Sequence, residues 1–388
     1  MGFKTSIQRE LDSFFRATLN KDFDIRRVTK SAFTQARAKL KPEGFKRLNE
    51  IAVNTFYDEA AYYKWFDFRV LSIDGTRLVL PNHPTVVEEF GQHNFGPKAD
   101  SPRSLALGSV LYDVLNQVAI DGQIDRYDSS ERDLLLKHLE FTKKGDLLLL
   151  DRGYPCFWLL FLLIAKEIGL CVRLKGNWWN EVNEFVKSTD NERVVKFKLP
   201  KKDRNKLSEY PEFIDTEIEC RIIKVVLDTG EIEVLCTSLL DQEKYPIEDF
   251  KELYHYRWNE EEAYKLLKCR IELEQFSGKT ALAVKQDFYA KILLLTLCAT
   301  YAHPIEEKVI KEFKADETRK HSQKINRTSA INMTQKILIG VFIKKKFKKA
   351  LKAFDEIVYA TREIIRPDRN VPRKHGPKKN YSMNYKRL

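Results

Sequence analysis

The chain has 388 residues, 43% of them apolar and 12% aromatic, which is enough to bury a core and too much for global disorder. Its formal charge is +12, and the excess lies at the end, where residues 304–388 hold 23 Lys or Arg against nine Asp or Glu. A basic end on a near-neutral body points to a polyanion, most often nucleic acid, against the plainer reading of a solubilising surface.

The six cysteines (Cys156, Cys171, Cys220, Cys236, Cys269, Cys298) are widely spaced and form no C-x-x-C pair. That spacing argues against a zinc site or disulfide framework and for a reducing compartment. No apolar signal segment follows Met1, and the most apolar stretches, Cys156 to Ala165 and Ile292 to Thr300, are too short to span a bilayer. The expectation is a soluble intracellular chain with no membrane partner.

In chain order, residues 1–65 read as helices, including a capped segment from Thr29 to Leu40 that carries Lys30, Arg37 and Lys39. This region is either a small DNA-binding module or a plain helical cap. From Phe68 the period changes to that of strands: Phe68 to Asp74, stopping at Gly75, then Leu105 to Leu115 and Gln117 to Ile120, with Asp121-Gly122 as a turn signal. Asp128 to Glu131 opens a helix. Asp146 to Asp151 is an almost wholly apolar run, as a central buried strand requires. A helix from about 155 to 168 and a strand from 170 to 174 follow. The order β-β-β-α-β-α-β predicts antiparallel strands leading into βαβ crossovers over 66–175. Residues 176–245 read as a β-rich insertion. From about Ile247 the chain reads as helical, with helices of the core over 246–303 and a basic helical region over 304–388 that ends in a tail rich in Pro, Lys and Arg.

One helix in that last part carries an unusual stripe. Tyr254, Arg257, Glu261 and Lys268 fall within about 60° of one another at about 100° per residue. Tyr256, Ala263, Leu266 and Leu267 occupy the opposite face, the one expected to pack. Two further acids, Asp74 and Asp151, end apolar runs. Alone, each reads as a turn or capping residue. Together with Glu261 they would make three hard oxygen donors, suited to divalent ions that activate an attacking oxygen and stabilise a leaving one in phosphodiester chemistry.

The residues Asp74-Gly75-Thr76, Asp151-Arg152-Gly153-Tyr154 and the spacing Tyr-x2-Arg-x3-Glu-x6-Lys at Tyr254, Arg257, Glu261 and Lys268 resemble the DDE transposases of the bacterial insertion-sequence type four family. The resemblance covers roughly residues 30–300, including the β-rich segment between the second Asp and the Glu. It implies an RNase H-like α/β core interrupted by that segment, with helical regions at both ends. It also implies that Asp74, Asp151 and Glu261 bind two Mg²⁺ ions, for which Mn²⁺ would substitute, and that Arg257, Lys268 and Tyr254 contact DNA. The reaction would be cleavage at the inverted-repeat ends of an element and strand transfer into target DNA by a homodimer, through a hairpin intermediate. A flipped base would rest on Trp258 or on the pair Trp178-Trp179, which read equally well as core of the insertion. Lys265 would add a phosphate contact or remain solvated, and the Lys344–Lys349 cluster reads as a phosphate-binding or solvated face. A structure-specific nuclease and an inactive DNA-binding relic are the competing functions.

Overall fold

The computed structural model describes residues 6–94, 102–175, 179–227, 230–316, 318 and 320–365. The basic tail and Trp178 lie outside the described residues.

Three helices lead in: α1 (Ile7–Thr18), α2 (Lys30–Arg37) and α3 (Glu43–Glu59). Ser6 and Thr29 cap the first two. Then come β1 (Arg69–Val79), α4 (Pro84–Phe90), β2 (Gln92–His93), β3 (Arg103–Asp113), β4 (Val118–Arg126), α5 (Glu131–His138), β5 (Asp146–Leu150), α6 (Phe157–Ala165) and β6 (Gly169–Leu174). Strands β1, β3 and β4 pair antiparallel, whereas β5 joins β1, and β6 joins β5, in parallel. The resulting order β4-β3-β1-β5-β6 is the mixed α/β sheet expected of an RNase H-like core.

The four leucines of β5, Leu147 to Leu150, are each fully buried, because helices cover both faces of the sheet. On one face Val70, Leu147 and Leu149 pack with residues of the C-terminal helices. On the other, Leu71, Ile73, Leu148 and Leu150 pack with α3, α5 and α6.

Three sequence expectations change here. Strand β1 does not stop at Gly75 but runs to Val79, since β3 supplies a partner as far as Val79 opposite Leu105. Asp121-Gly122 is not a turn; it lies inside β4, and a register shift beside Leu111 absorbs the irregularity. The β-rich segment, α7 (Asn180–Lys187), β7 (Glu192–Lys198), β8 (Glu217–Val226) and β9 (Ile232–Thr237), extends the core sheet, because β9 pairs antiparallel with β6.

The remaining helices are α8 (Asp249–His255), α9 (Trp258–Cys269), α10 (Ala281–Ala315), α11 (Arg327–Leu338) and α12 (Phe347–Ala360). Helix α10 is long and apolar enough to cross a membrane by length and composition, contrary to the reading of its apolar run as too short, but 72% of its apolar window is buried inside the fold. It lies against the sheet so closely that a β-carbon at Gly122 would come within 2.8 Å of Ile292. Helix α2 is tied to it by Arg37, whose guanidinium bonds Gln286, the Ala283 carbonyl and Asp287. That guanidinium is engaged within the fold rather than presented to a partner. The Lys344–Lys349 cluster straddles a turn rather than lying on one helix, with Lys345 at a positive φ of 52° before α12 begins.

Candidate active site

The site begins with backbone register. Ser72 of β1 lies opposite Leu149 of β5, so Asp74, two residues past Ser72, and Asp151, just past the end of β5, come to the same end of the paired strands. Adjacent strands are about 4.8 Å apart. Asp74 is not at a strand end, as the sequence suggested, but inside β1 and opposite Val110 of β3. Asp151 follows the last residue of β5, in a turn closed by the Tyr154 amide donating to its carbonyl at 3.0 Å. By alternation Asp74 shares the face of Val70, the one covered by the C-terminal helices.

Helix α9 closes over that face. Its Tyr264 hydroxyl donates to the Asp74 carbonyl at 2.6 Å, and Ser109 of β3 donates to the same oxygen at 3.0 Å. Ser109 belongs to a buried chain in which His138 lies 3.0 Å from it and 2.8 Å from Asp121. A serine, a histidine and an aspartate in line would suggest a hydrolase. Here Ser109 is fully buried and its hydrogen is spent on the backbone, so the chain positions Asp74 and offers no nucleophile.

The expected single helix over Tyr254 to Lys268 is two. Between α8 and α9 the hydrogen bonds tighten to three-residue spacing, from the Arg257, Asn259 and Glu260 amides to the carbonyls of Tyr254, Tyr256 and Arg257. The tightening turns Tyr254 and Arg257 inward. Tyr254 is buried, with its hydroxyl 3.4 Å from the Leu150 carbonyl, and Arg257 is only 5% exposed. Neither presents the open surface that DNA contact by the phenol or guanidinium would use. Arg257 instead pairs with Glu261 at 3.2 Å. Burial opposes its charge, yet Tyr254, Asp151 and Glu261 outweigh that and raise its pKa. The same guanidinium acts on Asp74. Arg257 is therefore the cation through which Asp74, Asp151 and Glu261 are electrically connected.

The other expected contacts are more open. Trp258 is 45% exposed at the start of α9, with the Arg257 guanidinium over its ring at 5.7 Å. Lys268 donates to the Arg77 carbonyl at 3.3 Å, and Lys265 is paired with Glu262. Trp179 stacks on Phe157 at 4.5 Å and abuts Phe197, partly buried against the core.

Two acids escaped the sequence reading. Glu260 is 1% exposed and lies beside Ser72 and the Asp74 backbone, and neither of its oxygens makes a well-formed hydrogen bond. Burial first, then the charge of Asp74, pushes its pKa well above the ordinary carboxylate value. Glu131, at the first turn of α5, has a pKa raised by burial and then by Asp151. The sequence showed it only as a helix opener beside a capping box formed by Ser130 and Asp133. Asp74 itself is pushed up to about 6, mainly by burial, against the pull of the Gly75 amide and with a further push from Glu131.

A family described as "Transposase DDE domain" matches residues 65–297. The chain belongs to the DDE transposase family. Its likeness within that family is to the insertion-sequence type four kind. It is 24% identical over 277 residues to the Escherichia coli (strain K12) protein described as transposase InsG for insertion sequence element IS4, covering 70% of this chain and 60% of that relative. The chain thus spans less than two thirds of the length of the relative it matches. A cryo-EM structure of a piggyBac transposase synaptic complex with hairpin DNA aligns over 75% of this chain and 57% of the other, with 10% identity and a TM-score of 0.41.

Members of this family generally work with divalent metal ions. The donors here fit such ions in kind: carboxylates that repel one another, and a buried Asp151 Oδ1 without a hydrogen-bond partner. Among the described residues no three His, Cys, Asp or Glu side chains converge closely enough to share an ion.

Proposed function

We propose that this member of the DDE transposase family cuts DNA at the inverted-repeat ends of an insertion sequence and joins the freed strand to target DNA. The reading is supported by one observation: the parallel ladder of β1 and β5 leads Asp74 and Asp151 to one end of the sheet, where Arg257 acts on both and pairs with Glu261.

In this reading Asp74, Asp151 and Glu261 hold two Mg²⁺ ions, or Mn²⁺ in their place. When bound, the ions activate the attacking oxygen and stabilise the leaving one. The chain's own residues do the rest. Arg257 holds Glu261 toward the aspartates. Lys268 and Lys265 add phosphate contacts at the open end of α9, and exposed Trp258 offers a flat face for an unstacked base in a hairpin intermediate. Tyr254 acts from beneath, fixing α8 against the end of β5. Paired element ends call for two copies of the chain, so we propose a homodimer on DNA, in the cytoplasm and on the nucleoid.

The same reading divides the chain into an N-terminal helical region (1–65), a core (66–175 and 246–303), the inserted strands (176–245) and a basic C-terminal region (304–388). The test uses supercoiled plasmid bearing the inverted repeats that flank the gene. Mg²⁺-dependent nicking at the repeat ends followed by strand joining is the expected result. Hydrolysis with no joined product would replace this reading with a nuclease.

A further inference from the structure

Helix α5 packs on the face of the sheet opposite α9; its Leu135 belongs to the core cluster of Leu71, Ile73, Leu148 and Leu150. A side chain on that helix would normally be walled off from Asp74 by the sheet. Gly75 removes the wall. It follows Asp74 in β1 and so presents its missing side chain to the α5 face. A β-carbon added there would lie 2.7 Å from both Cγ and Oε1 of Glu131, a contact closer than packing allows. The Glu131 side chain therefore runs through the space that only glycine leaves. Its other oxygen, Oε2, lies 3.7 Å from where a β-carbon on Gly153 would stand. One carboxylate thus spans the glycines of both aspartate motifs.

Its backbone is held there deliberately tightly. The Ser130–Asp133 capping box fixes the first turn of α5. Arg132 donates to the carbonyls of Gly153 and Tyr154 at 3.0 Å each and to that of Pro155 at 3.3 Å, binding α5 to the turn that carries Asp151. The carboxylate at the end of this scaffold makes no hydrogen bond or ion pair among the described residues. Two neighbouring groups share that condition: the buried Asp151 Oδ1 and both oxygens of Glu260, which is 1% exposed beside Asp74. Rigid support beneath, with unpartnered oxygens at the tip, is how a ligand side chain is built rather than how a solvated one is left.

We propose that Glu131 is a fourth carboxylate of the cation site, delivered from the opposite face of the sheet through the gap at Gly75. The proposal rests on the metal-dependent reading above and adds a ligand to it. It also gives Gly75 a function: an alanine there would displace Glu131 while leaving Asp74 in its strand.

Mn²⁺ is the probe, with binding to the full chain followed by loss of the free-ion paramagnetic resonance signal and with no DNA present. Glu131→Gln and Gly75→Ala should each weaken binding by roughly tenfold or more, and the double variant should be no weaker than Gly75→Ala alone. Thermal melting confirms that each variant is folded. As a second readout, Fe²⁺ with ascorbate should cut the backbone near Glu131 as well as near Asp74 and Asp151. Wild-type Mn²⁺ affinity in Glu131→Gln, with affinity lost in Asp74→Asn, would overturn the fourth ligand and leave the three-carboxylate reading standing. Full affinity in both variants would overturn the two together.

Discussion

Strand β1 and the turn that follows β5 hold Asp74 and Asp151 by backbone hydrogen bonds, whereas α8 and α9 hold Arg257 and Glu261 by side-chain contacts. For the aspartates, position follows from the backbone: the ladder that pairs Ser72 with Leu149 and the turn after β5 bring them to one end of the sheet. In the helices, position depends on a tightened turn, on the Arg257–Glu261 pair and on Tyr264 reaching the Asp74 carbonyl. The first kind of placement resists change at any one side chain. The second is adjustable, and it is where repulsion among carboxylates would be relieved when cations and DNA enter.

The largest effect that separates the two regions concerns which glutamate of α9 acts. Glu261→Gln is expected to lower Mg²⁺-dependent cleavage by more than roughly a hundredfold, as are Asp74→Asn and Asp151→Asn. Glu260→Gln, which puts a neutral group where burial already disfavours a charged carboxylate, should retain most of the activity. The reverse outcome in a plasmid-cleavage assay would move the helix's role to Glu260 and break the placement of α9 argued above.

Next in size is Arg257→Ala. It leaves Asp151 and Glu261 without their shared countercharge, at a cost of about 3 kcal/mol in urea unfolding. Arg257→Lys should recover part of that loss, and an Ala variant as stable as wild type would mean that α9 is held by packing alone.

Asp74 gives a comparable effect with a pH signature. Its pKa is raised from 3.8 to about 6, chiefly by burial, so the folded state binds a proton that the unfolded state releases. The associated stability is fully present below pH 3.8 and is lost as pH rises through about 6. Two pK units correspond to about 3 kcal/mol as an upper figure. Asp74→Asn should therefore be more stable than wild type above pH 6 without divalent ions and equal to it near pH 3.5. Denaturation curves that stay parallel across this range would show that Asp74 is not strained by its surroundings.

The smallest change, Tyr264→Phe, removes one hydrogen bond to the Asp74 carbonyl and should lower stability by about 1 kcal/mol. Its catalytic effect should exceed that of a comparable loss elsewhere, because α9 rests on this contact. A stability loss with unchanged cleavage would show that the strand holds Asp74 without the helix.

Much of the fold was legible because its signals are local. The leucine run of β5, the alternation in β7 to β9 and the caps of α2 and α5 follow from residue type and period. The misreadings share one cause. Gly75 looked like a strand end and Asp121-Gly122 like a turn because glycine breaks strands on average, yet here each is a glycine where another part of the chain must come close: Glu131 at the first, Ile292 and Phe288 at the second. The polar stripe on Tyr254, Arg257, Glu261 and Lys268 was correctly seen as unusual. Its burial was not, since a straight helix was assumed where the chain tightens after α8.

By itself the sequence determined the family motifs and roughly where each element lies, because motif spacing and hydrophobic period are properties of neighbouring residues. Only the tertiary structure decided that Arg257 faces inward among three carboxylates, that Glu260 is buried beside Asp74, and that Glu131 packs against Gly75 from the α5 side of the sheet. Those outcomes depend on desolvation and on which side chain fills the space beside a glycine. Both are set by residues distant in the chain, and neither leaves a mark on local spacing.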